Sequence, residues 1–211
     1  RILSSAASDV YKRQDMNMYS SNNSLVSSLL GKKTNDFVYV LLTSIIGSFL
    51  LAISSKVQIP LTPVPVTLQT LVLLVMSMFL GWRGAVGATS LYLFQGAIGL
   101  PVFAHGGGFI ILFGPTGGYL FGFLIASLVV GYLAEKGWDK SVVLTFTSMT
   151  IGTLIIYLFG VIWLSYLKDL NTALVFGLLP FITPDILKIC LGTCIVSAGW
   201  EISEKYINRK I

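Results

Sequence analysis

The sequence predicts an all-α integral membrane protein of six transmembrane helices with both termini in the cytoplasm. Three observations carry that expectation. Of 211 residues, 55% are hydrophobic and only 11% charged, where soluble domains carry about 25% charged residues. Mean hydropathy is +0.83, so the chain cannot cover itself with polar side chains. The apolar residues fall into six runs, and the basic residues lie between and beyond those runs. A net charge of +5 distributed this way marks membrane topology, not a nucleic-acid surface.

The elements follow in order. Residues 1–36 are polar and rich in Ser and Asn, and are expected to be a disordered tail, at least to Asn23. The first fourteen read unlike the rest of the chain. No long apolar run with a cleavage site occurs there, so the segment is not read as a signal peptide. The membrane domain is expected over 37–200, with spans near 37–54, 66–80, 84–100, 117–133, 141–167 and 184–200. Spanning takes about 20 residues, so the second run must borrow from its flanks. The stretch "TALVFGLLPFI" before the sixth run contains Gly and Pro and reads as a lid or re-entrant piece. Irregular backbone is tolerated in lipid only when buried in protein or lining a wet cavity. Residues 201–211 read as a cytoplasmic tail.

Orientation rests on Lys and Arg. With the N-terminus inside, the inner segments hold Lys32, Lys33, Arg83, Lys136, Lys140, Lys205, Arg209 and Lys210, and the tail adds Arg1, Lys12 and Arg13. The outer loops hold only Lys56 and Lys168. Those outer loops are rich in Pro and Gly and poor in charge, as if shaped to fold over something.

The sixth run opens with "TPDILK". Thr183 is expected as the N-cap and Pro184 at the first helical position. Asp185 then falls in the first turn, where the helix dipole favours an anion, and Lys188 shares its face at i+3. Gly192 and Gly199 continue that stripe, while Cys190 and Cys194 fall opposite. Ionisable residues inside a membrane are costly and mark functional sites by default. A carboxylate accepts from N–H groups and an ammonium pairs with an acid, so the pair suits a ligand carrying both. The plainer alternative is a salt bridge snorkelling to water.

Other stretches are weaker. "QIPLTPVPVTLQT" removes backbone donors through its prolines and brings Thr67 and Gln69 into the second span. Gln69 is a candidate ligand contact, or ordinary helix-start chemistry. The glycines of "HGGGFIILFGPTGGY" let backbone approach a ligand, but the loop lacks the G-x-x-x-x-G-K-[ST] pattern, which occurs nowhere in the chain. His105 is the sole histidine, and H-E-x-x-H is absent. Tyr119, Phe121, Phe123, Tyr157, Trp163 and Tyr166 read as core or interface-belt aromatics, of which one or two wall a pocket. Ser44, Ser48 and Ala52 form a small-residue stripe, either internal packing or a docking face. C-x-x-x-C is not a metal or redox signature, and neither a metal site nor a catalytic residue is expected.

Together, "IPLTPVPVTLQTL", "GAIGLPVFA", "GGGFIILFGPTGGYLFGF" and "PDILK" resemble the BioY family over about 37–200. These are the biotin-binding membrane subunits, or S components, of energy-coupling factor (ECF) transporters. The resemblance implies a six-helix S-component fold in a prokaryotic cytoplasmic membrane that captures biotin from outside. Asp185 and Lys188 match the family's acid and lysine. The glycine-rich loop reads "AHGGG" here, so its polar contact either falls to His105 or is lost at Gly106, and His105, Gly106, Gln69 and Tyr119 are carried as the further expected site residues. No cofactor is implied, with biotin as substrate. ATP is used only by partners, a membrane coupling subunit and two cytoplasmic ATPases. The resemblance makes Ser44, Ser48 and Ala52 the docking surface. An S component for another vitamin, or an intramembrane hydrolase, are the alternative readings.

Overall fold

A computed structural model describes Leu25, Val26 and residues 36–208. The rest of the expected N-terminal tail lies outside the described residues. Helix α1 (Asp36–Lys56) leads into a two-stranded antiparallel ribbon of β1 (Gln58–Ile59) and β2 (Val66–Thr67). Helix α2 (Gln69–Ala97), the short α3 (Phe109–Leu112) and α4 (Gly117–Glu135) follow. A 3-10 turn (Trp138–Lys140) precedes α5 (Val142–Leu167), α6 (Leu170–Gly177) and α7 (Leu179–Asn208).

Five helical stretches among the described residues are long and apolar enough to cross a bilayer. One of them is two spans. Gly81 breaks α2 with φ 71° and ψ 177°, a backbone state glycine adopts without a Cβ penalty. Gln69 Nε2 donates to Tyr92 Oη at 2.7 Å. Along a continuous helix those residues would lie about 35 Å apart. The arms 69–80 and 82–97 therefore run antiparallel, and the expected second and third spans are both present. Arm 69–80 is only about 18 Å long by helical rise.

Two expectations need correction. Helix α7 begins at Leu179, with Pro184 inside it, so Thr183 is not its N-cap and Asp185 is not in its first turn. The extra turn survives because buried Phe181 stacks on Tyr119 with ring centroids 6.1 Å apart. Such a stack contributes about 0.5–1.5 kcal/mol, similar to the net worth of the one hydrogen bond Pro184 cannot make. The lid stretch is thus α6, only 8 residues long, plus the opening turn of α7. At its other end α7 runs through the expected tail to Asn208.

The second correction concerns the docking stripe. Ser44 and Ser48 are buried within this chain, and Ala52 is half-buried. A Cβ on Gly87 would collide with Ser44 Oγ, and one on Gly47 would meet the Ala88 methyl group. The small residues let α1 and α2 approach closely, so the stripe is internal packing and not a free surface. The exposed face of α1 carries Ile46, Phe49 and Ile53 instead.

The three sequence-predicted outer loops gather at one end. Lys56 Nζ donates to Phe103 O (2.6 Å) and Ser55 Oγ to Val102 O (2.7 Å), fastening the 98–116 loop to the end of α1. Trp163 Nε1 holds Gly114 O at 2.9 Å, and Tyr119 Oη holds Gly177 O at 2.7 Å. The opposite end carries Gly81, Glu135 and the 3-10 turn. There Trp200 Nε1 donates to the buried Asp139 carboxylate at 3.0 Å. Burial pushes that carboxyl up to about 6, against the Trp200 hydrogen bond and the nearby Lys140 charge.

Candidate functional site

A cavity lies beneath the gathered loops. Four helices supply most of its polar groups, among them Gln69 and Thr70 on α2, Tyr119 on α4, Tyr157 on α5, and Asp185 and Lys188 on α7. Phe103, Phe123 and Phe181 make much of its apolar wall.

Asp185 and Lys188 form an ion pair at 2.6 Å, with side chains only 3% and 13% exposed. The pair is too buried to be a snorkelling salt bridge. Lys188 Nζ also donates to Thr67 O at 2.7 Å and to Thr70 Oγ1 at 3.0 Å. An ammonium has three N–H groups, and all three have protein acceptors. Asp185 Oδ1 accepts from Lys188 and from Thr70 Oγ1 (3.2 Å), and Oδ2 accepts from Tyr157 Oη at 2.7 Å. The cavity floor is therefore an ionic network fixed before any ligand arrives. It can accept an N–H at the carboxylate, and an anion can draw on the ammonium by displacing one of its acceptors.

The remaining expected residues divide. Gln69 lines the cavity, buried, with its amide N–H groups spent on Tyr92 Oη and Leu51 O (3.2 Å). Tyr119 lines it as a wall, its ring against Phe181 and its hydroxyl on Gly177 O. His105 lines the mouth and is exposed. Gly106 is not among the lining residues. Its N–H and C=O both pair with Phe103, at 3.1 and 2.8 Å, and its φ is 121°. Its role is to turn the loop that carries His105.

Sequence reasoning missed Thr70 as a lining residue, and it read Tyr157 only as an aromatic that could wall a pocket, not as a donor to Asp185. Tyr157 reads as one more belt aromatic, since its partner Asp185 lies 28 residues away on another helix. One signal was available. Thr145, Ser148, Gly152, Thr153 and Gly160 mark the small and polar inner face of α5, and Tyr157 sits four residues after Thr153 on that side.

A model of the BioY family matches residues 22–205 of this chain. The chain belongs to the BioY family. The biotin transporter BioY of Thermotoga maritima is 40% identical over 148 residues, covering 69% of this chain and 86% of its own. Biotin transporter BioY2 of Lactococcus lactis is 35% identical over 162 residues, covering 75% and 88%. A crystal structure of the S-component for biotin from an ECF-type ABC transporter aligns with TM-score 0.70 and 26% identity, covering 80% of this chain and 94% of that one. As a BioY chain it is a multi-pass prokaryotic membrane protein and a transporter component, not an enzyme.

Proposed function

We propose that this chain captures biotin from the outer side of the cytoplasmic membrane, as the substrate-binding subunit of an ECF-type transporter. The observation that carries the reading is the buried Asp185–Lys188 pair in a cavity whose apolar wall is largely aromatic, with Phe103, Phe123 and Phe181 among its lining residues. Biotin offers a ureido ring with N–H donors, an apolar bicycle and a valerate carboxylate. Asp185 accepts a ureido N–H, and Lys188 turns one N–H from its protein acceptors to the carboxylate. The aromatic walls enclose the bicycle, and His105 stands at the mouth. The sequence holds no ATP-binding motif, so transport draws its energy from partners, a coupling subunit with two cytoplasmic ATPases.

Equilibrium dialysis of purified protein with labelled biotin tests the reading. Saturable binding is expected, and a folded sample that binds none at micromolar ligand overturns it. An uncharged biotin amide then tests Lys188. Wild type should prefer the free acid, and Lys188→Ala should bind both forms about equally. Retention of the full preference for the acid would leave Lys188 as a structural partner of Asp185 only.

A further inference from the structure

We propose that Tyr157 is a positioning residue for Asp185, fixing which carboxylate oxygen and which direction remain open to the ligand. The inference rests on the biotin reading above. A carboxylate offers about four acceptor sites on two oxygens. On Asp185 three are taken, two at Oδ1 by Lys188 and Thr70 and one at Oδ2 by Tyr157. The open site is the second lone pair of Oδ2. Tyr157 is the single donor to that oxygen among the described residues, and at 2.7 Å it makes a short charge-assisted bond.

The terminal torsion of an aspartate is soft, with broad and roughly two-fold wells. Lys188 and Thr70 both act on Oδ1, so they hold that oxygen and leave the plane of the group free to turn about it. Tyr157 approaches from α5 and acts on the other oxygen, which fixes the plane. With the hydroxyl in place, Asp185 presents one acceptor in one direction, suited to one ligand N–H. Without it, the ligand must order the carboxylate as it binds.

Tyr157→Phe keeps the ring and removes only the hydroxyl. Biotin dissociation constants for wild type, Tyr157→Phe, Asp185→Asn and the double variant form a cycle. Tyr157→Phe is expected to weaken binding about tenfold alone, and less than about twofold beside Asp185→Asn. An equal loss in both backgrounds, or no loss where wild type binds, overturns the positioning role. Infrared spectra of ligand-free protein give a second readout. The carboxylate band deleted by Asp185→Asn should shift in Tyr157→Phe, and an unshifted band overturns the proposal even if Asp185→Asn binds nothing. A wild type that binds no biotin removes the biotin reading and this role with it, whereas loss confined to the Tyr157 comparison leaves the biotin reading standing.

Discussion

Lys188→Met removes the ammonium from beside Asp185 and keeps most of the apolar stem. The carboxylate it leaves is only 3% exposed. Removing one partner of a buried ion pair costs about 3–5 kcal/mol. Thr70 and Tyr157 still donate to Asp185, which places this case at the lower end, near 3 kcal/mol. For a chain of this size, each kcal/mol moves the midpoint by about 2–4 °C. The ligand-free variant should then unfold roughly 6–12 °C below wild type. Neutralising both members, as Asp185→Asn with Lys188→Met, removes the stranded charge and should recover most of that loss. Thermal unfolding of the three proteins in one detergent makes the measurement. If the single variant unfolds with the double, or with wild type, the pair is not a buried charge network and the account of the cavity floor is wrong.

Three further outcomes follow from the packing. Ser48→Leu adds bulk at a site only 1% exposed and should cost about 1–3 kcal/mol by overpacking α1 on α2; unchanged thermal stability would mean the stripe faces outward after all. Gly81→Ala places a methyl group 2.5 Å from Glu135 Oε1 at a φ of 71°, so a drop of at least about 1 kcal/mol is expected in the same assay. Asp139 is raised to about 6 in the folded protein from an ordinary value of 3.8. Between those values the folded state holds a proton that the unfolded state has lost, so stability falls as pH rises from about 4 to 6, by at most about 3 kcal/mol. Asp139→Asn should flatten that slope and unfold at a higher temperature at pH 7; a variant that keeps the slope would place its origin elsewhere.

How much was legible depended on how far each signal reached along the chain. Span existence is a local property of apolar runs, and the runs 66–80 and 84–100 were separable because Gly81, Trp82 and the charged Arg83 lie between them. Asp185 and Lys188 stood out because an acid and a base inside an apolar run are costly wherever the helix begins. The start of α7 was misplaced because Thr-Pro is a strong local start signal, whereas the stack of Phe181 on Tyr119 that overrides it joins two helices. The Ser44, Ser48 and Ala52 stripe carries the same spacing for packing within a chain as for packing between chains. The burial of Ser44 and Ser48 and the close approach of Gly87 to Ser44 and of Gly47 to Ala88 decided between them. The contacts of Tyr157 and Thr70 are long-range pairings of ordinary residue types, and spacing holds no record of them.

The single-residue turn at Gly81 has a consequence for biosynthesis. Arm 69–80, at about 18 Å, falls well short of a hydrocarbon core about 30 Å thick. It is a poor insertion signal taken alone. Its partner arm begins at the next residue, with Arg83 close to the tip. There is no connecting loop in which a ribosome-bound chain can pause with one arm in the membrane and the other outside it. The two arms are thus expected to leave the translocon as one hairpin. A polar insertion that lengthens the turn would then uncouple them, and truncated nascent chains tested for membrane integration should reveal the shorter arm failing to integrate without the longer one.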